Sequence, residues 1–168
     1  AEVGDQRASG AIMVVALDAE ESSGSLNECL RRTVTQLLAT VPSARLACLN
    51  VLKLGRITID RTLDEQGNNK HIDRLVALRH WAQPLELDDS RLTVHVLEAI
   101  DPAAAILEFT RANHVDHIVI GARQSSMLRA LLGSVSAKVV AEAGCTMTVV
   151  RPLRSAGESM KSSSRASV

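Results

Sequence analysis

Residues 116–152 read DHIVIGARQSSMLRALLGSVSAKVVAEAGCTMTVVRP. An apolar run, His117 to Ile120, leads into a loop opened by Gly121. The loop closes at Gly133-Ser134, where a short amphipathic helix begins with Val135, Val139 and Val140 on its apolar side. Gly144 stops that helix, and a second apolar run, Thr146 to Val150, follows. Glycines let backbone approach a ligand closely, and the first turn of a helix carries N–H groups with no partner inside the helix. A strand, a glycine-bounded loop and a helix start in this order make a site for an anion, a phosphate above all.

Working outward, the same alternation covers most of the chain. Ala11 to Leu17 (AIMVVAL) and Ala44 to Leu52 (ARLACLNVL) are continuous apolar runs, as expected of strands buried on both faces. Between them Ser25-x-x-Glu28 reads as a capping box, followed by Leu26, Leu30, Val34, Leu37, Leu38 and Val41 on one helical face, with Pro42 as the stop. Ile72, Leu75, Val76, Arg79 and Ala82 have helical spacing and Pro84 ends them. Leu92 to Leu97 is a third strand. Asp101-Pro102 is an N-cap with proline at the first helical position, and Ala103, Ile106, Leu107 and Thr110 share one face of the helix it opens. Residues 53–70 read as a short alternating piece and then a polar loop around Gly67-Asn68-Asn69. The order β-α-β-α-β-α-β-α-β with apolar strands predicts an α/β fold: one open, doubly wound, five-stranded parallel sheet with helices on both faces. Ligands of such sheets bind beyond the C-terminal strand ends, where the strand order reverses.

Composition narrows the function. The 168 residues carry no net charge, so nothing calls for nucleic acid or an anionic membrane. Trp81 and Phe109 are the only aromatic residues apart from histidines, too few for a base-stacking platform. No apolar run approaches the length of a membrane span, and no signal core follows a basic block, which predicts a cytoplasmic protein. Cys29, Cys48 and Cys145 are widely spaced in apolar patterns and are expected to be reduced core thiols. The first ten residues read as a flexible lead, 11–152 as the α/β domain, and 153–168, with six serines, as a disordered tail.

Asp18 after the first strand, DPAAAILEFTRANHVDHIVIGAR before the loop, and LLGSVSAKVV with CTMTVVRP after it together resemble the universal stress protein family over about residues 11–152. The resemblance implies a strand order of 3-2-1-4-5 and a homodimer through Thr146 to Arg151. It implies a stress-response regulatory domain acting as a binding module, with ATP as the ligand and magnesium only as the nucleotide's companion. By matching position, Asp18 and Val51 hold adenine or ribose, and Gly121, Gly133, Ser134 and Ser136 hold phosphates. The ATP-binding branch carries Gly-x2-Gly-x9-Gly-Ser/Thr. Here Gln124 stands in place of the middle glycine, and Ser125 to Leu132 make the following stretch one residue shorter. That departure predicts weak ATP binding.

Each residue has a plainer reading beside this one. Asp18, Ser134 and Ser136 could serve as helix or turn caps, and Arg123 and Arg129 could be solvated rather than set against phosphate. His114-Val-Asp-His117 offers three metal-ligating side chains but is read as a helix end meeting a strand. There is no nucleophile elbow, Walker loop or dinucleotide fingerprint, so no enzyme is expected; slow ATP hydrolysis is the lesser alternative. The main alternative is a nucleotide-free interaction or regulatory domain of a larger signalling protein.

Overall fold

Among the described residues the apolar runs form five strands, and four α-helices cross between them. In order these are β1 (Ile12–Ala16), α1 (Gly24–Thr40), β2 (Arg45–Lys53), α2 (Lys70–Ala82), β3 (Leu92–Ala99), α3 (Pro102–Ala112), β4 (His117–Gly121), α4 (Ser134–Glu142) and β5 (Thr146–Val150). The computed structural model describes residues 10–17, 24–54, 69–122 and 134–152. The expected disordered tail and all but Gly10 of the expected flexible lead lie outside them. Gly10 itself is half-buried against Ser43, where a Cβ would come within 2.3 Å of the Ser43 carbonyl oxygen.

The sheet is parallel throughout, in the order β3-β2-β1-β4-β5 expected from the resemblance. β1 is therefore central. Its Met13, Val14 and Val15 lie beside Leu46, Ala47 and Cys48 of β2 and beside His117, Ile118 and Val119 of β4. Successive strand residues point to opposite faces, and the core divides accordingly. Met13, Val15, Leu46, Cys48 and Val119 pack under α1 and α2. Val14, Ala47, Leu49, Ile118 and Ile120 pack under α3 and α4.

The α1 helix buries Leu26, Leu30, Val34 and Leu38, each contributing about 2 kcal/mol of transfer free energy. Two expectations about this helix change. The helix starts at Gly24, so Ser25 lies inside its first turn, and the Glu28 carboxylate accepts from the Arg31 guanidinium instead of completing a capping box. Val41 lies past the helix end and is 37% exposed.

The α2 helix is rotated from its expected setting. Leu78, Trp81 and Ala82 are buried, with Leu75 partly so, while Ile72 and Val76 are 55% and 61% exposed. The indole is the deciding group. It is the largest side chain available, and its N–H donates to the Asn27 carbonyl of α1 at 2.8 Å, so the helix turns to seat it. A turn of 3-10 helix at Gln83–Leu85, with Pro84 in it, ends α2 as expected.

The α3 helix matches its sequence signals in full. Asp101 Oδ1 accepts from the Ala104 N–H at 3.2 Å, Pro102 opens the helix, and Ala103, Ile106, Leu107 and Thr110 are buried. It closes in a Schellman motif: Val115 N–H donates to the Thr110 carbonyl and His114 N–H to that of Arg111, with His114 at a φ of 51°. The His-Val-Asp-His stretch is thereby spent on structure. Asp116 accepts from the Ile12 N–H at 2.8 Å, and His117 Nε2 bonds the Thr148 hydroxyl at 2.7 Å between β4 and β5. Burial lowers the affinity of His117 for a proton. Among the described residues no helix is long and apolar enough to cross a membrane, and no three His, Cys, Asp or Glu side chains are grouped to hold a metal.

Candidate functional site

Because β1 and β4 are adjacent and parallel, their C-terminal ends emerge side by side. Ala16 lies beside Ile120, and the chain leaves β1 through Leu17 and β4 through Gly121. Helix α1 follows β1 on one face of the sheet, and α4 follows β4 on the other. The strand order reverses between these two crossovers, so this is the crevice of a doubly wound sheet.

The described part of the site is built as follows. Val51 stands in β2 beside Leu97 of β3, half-buried on the α3 and α4 side. Gly121 is the last residue of β4, beside Val150, and the next amide, Ala122 N–H, donates to the Val150 carbonyl at 2.8 Å. Ser134 and Ser136 lie in the first turn of α4, whose leading backbone N–H groups are those expected to face an anion. Asp18, Arg123, Gln124, Arg129 and Gly133 lie outside the described residues. The structure thus brings the ends of β1 and β4 together, as the reading required.

From the sequence, Gly121 ends the fourth strand, opens the loop and, through the resemblance, faces phosphate. The structure adds a packing role: a Cβ at this position would come 2.6 Å from Leu26 Cδ2 and 2.9 Å from Leu26 Cδ1 and Cγ. The first turn of α1 is laid directly over the end of β4, and only the missing side chain makes room.

Asn50 escaped the sequence reading. It is 3% exposed, inside the apolar run of β2. Its Nδ2 donates to the Leu17 carbonyl at 2.7 Å, and its Oδ1 accepts from Arg74 Nη1 of α2 at 2.9 Å. The signal was present: a polar residue in a strand buried on both faces must find partners for its amide. Nearby, His71 Nδ1 lies 3.9 Å from Glu98 Oε1 at the ends of α2 and β3. Cys48, beneath this end of the sheet, is fully buried, and burial pushes its thiol up to about 12.

The topology defines an open, doubly wound α/β domain with a crevice at the β1 and β4 ends. The family model described as the universal stress protein family matches residues 11–151, and the chain belongs to that family. Solved structures agree on the fold. A universal stress protein from Archaeoglobus fulgidus is similar at 20% identity and a TM-score of 0.61, over 83% of this chain and 98% of that one. A universal stress protein in complex with cAMP is similar at 20% identity and 0.61, over 85% and 98%. A family protein from Arabidopsis thaliana with AMP bound is similar at 18% identity and 0.62, over 89% and 95%. No curated protein matches the chain.

Proposed function

We propose that this chain is a stress-response regulatory domain that works as a homodimeric binding module and takes ATP weakly in the crevice above β1 and β4. The observation that carries this reading is the adjacency of those strand ends, with Gly121 closing β4 and α4 starting at Ser134. The cAMP and AMP named for two similar structures support an adenine nucleotide as the ligand class. In this reading Asp18 and Val51 face adenine or ribose. Gly121, Gly133, Ser134 and Ser136 hold phosphates, with Arg123 offsetting their charge. Magnesium accompanies the nucleotide only. The domain acts in the cytoplasm and binds without turnover.

Gln124 sets the strength. Losing two or three backbone bonds to phosphate, each worth about 1.5–3 kcal/mol, places ATP binding in roughly the micromolar to millimolar range. In calorimetry Gln124→Gly strengthens ATP binding and Asp18→Ala weakens it. Tight binding indifferent to both changes would mean another pocket. The same glutamine and the shortened loop favour the second reading, a nucleotide-free interaction domain of a larger signalling protein. Calorimetry of the unmodified chain with ATP at millimolar concentration separates the two, since only the first gives binding heat.

The dimer reading rests on β5. It is a sheet edge of short apolar sequence, TMTVV, and an unpaired edge is a template for a second strand. Thr146 to Arg151 pairs antiparallel with its mate, and Val149→Pro removes an edge donor and yields a monomer in light scattering. A monomeric unmodified chain would refute this.

A further inference from the structure

We propose that Asn50 is a positioning residue of the crevice: its carboxamide holds the end of β1 in place for the ligand and ties that end to α2 through Arg74. The ligand part of this inference rests on the nucleotide reading above. The β1 ladder ends at Ala16, yet Leu17 remains fixed to β2 on both sides of its peptide. Leu17 N–H donates to the Leu49 carbonyl at 2.8 Å, and the Leu17 carbonyl accepts from Asn50 Nδ2 at 2.7 Å. One bond comes from the strand backbone, the other from a side chain. The chain is therefore held in extended register up to the residue before Asp18.

Packing alone does not call for an asparagine here. Leu46 and Cys48, four and two residues earlier on the same face of β2, are apolar and fully buried. An amide in such surroundings is retained at a desolvation cost and is tolerated only with its partners in place. What it adds is a fixed geometry, with a donor aimed at one carbonyl and an acceptor aimed at one guanidinium. Arg74 is half-buried, reaches Asn50 Oδ1 at 2.9 Å and comes from the middle of α2. Displacement of the β1 end by a ligand is thus transmitted to α2 through two hydrogen bonds.

The test uses the full chain, ATP as the titrant, and amide exchange of Leu17 in the ligand-free protein. Asn50→Asp is nearly isosteric. It keeps an acceptor for Arg74 but sets a carboxylate oxygen against the Leu17 carbonyl. The loss of one well-placed bond predicts about tenfold weaker ATP binding and about tenfold faster exchange of the Leu17 amide. Val14, at the centre of β1, keeps its protection. Asn50→Leu supplies burial without the amide: its melting temperature stays near that of the unmodified chain while affinity falls as in Asn50→Asp. A residue with only a structural role would lose both together. Arg74→Met leaves the Leu17 bond intact, so Leu17 exchange is unchanged and affinity falls less. Unchanged affinity and unchanged Leu17 exchange in Asn50→Asp and Asn50→Leu overturn the proposal. If the unmodified chain gives no heat with ATP, the nucleotide reading and the ligand part fall together. The anchoring of β1 is then judged by exchange alone: faster Leu17 exchange in either variant upholds it, and no change overturns it.

Discussion

Adding a single methyl group at Gly121 should destabilise the fold through α1, a helix nearly a hundred residues away in sequence. An alanine Cβ there would lie 2.6 Å from Leu26 Cδ2 and 2.9 Å from Cδ1 and Cγ, all well inside van der Waals contact. Rotating one methyl away does not relieve this, because three atoms of the isobutyl group are involved and Leu26 is buried in the α1 and α2 core. Either Leu26 takes a poor rotamer or the first turn of α1 lifts. Overpacking of this kind costs about 1–3 kcal/mol. At about 2 kcal/mol the melting temperature of a domain this size falls by roughly 4–8 °C. The assay is urea unfolding followed by circular dichroism, run as a double-mutant cycle with Leu26→Ala. Leu26→Ala alone should cost about 3 kcal/mol by opening a cavity. The new methyl partly fills that cavity, so the double variant should be more stable than the sum by about 1–2 kcal/mol. Additive losses, or a Gly121→Ala protein as stable as the original, would refute the packing role of this glycine.

Two further perturbations follow from the core and the α3 terminus. The folded chain holds the Cys48 thiol neutral, so stability linked to it is complete below the usual value of 9.0 and is lost as pH rises from there toward about 12. Denaturation series should show a flatter alkaline limb for Cys48→Ala than for the unmodified protein; parallel limbs would exclude the linkage. His114 holds a left-handed φ of 51° that glycine adopts without strain, so His114→Gly should raise stability by about 0.5–1 kcal/mol in urea unfolding, and a loss would contradict the Schellman reading.

How much of this was legible in the sequence depended on whether a signal acted locally. The α3 helix was read completely, since its cap, its proline and its four buried side chains all lie within ten residues of one another. The α2 helix was placed but turned wrongly. Ile72, Leu75, Val76, Arg79 and Ala82 satisfy a helical period, but so do Leu75, Leu78, Trp81 and Ala82, and only the seat for the indole on α1 decides between them. The capping box failed for a similar reason, because Arg31 offered Glu28 a partner one turn on. At the site, strand ends and helix starts were visible, and the neighbourhood of β1 and β4 came through the family resemblance. The two long-range relations, Leu26 over Gly121 and Asn50 on Leu17, join residues far apart in sequence. Periodicity carries no information at such separations.

The central place of β1 also sets the order in which the chain can be completed during synthesis. β1 to β3 lie within residues 12–99 and make a contiguous half-sheet, whereas the other edge of β1 waits for β4, and Asp116 reaches Ile12 across 104 residues. Until then Met13, Val14 and Val15 present an open, apolar strand edge to the surroundings, and late, non-local pairing of this kind is slow. A nascent chain paused before β4 is therefore the species most exposed to misassembly and to capture by chaperones. The window of vulnerability closes when the residues that also build the crevice arrive, so in this protein the crevice and the completed sheet mature together.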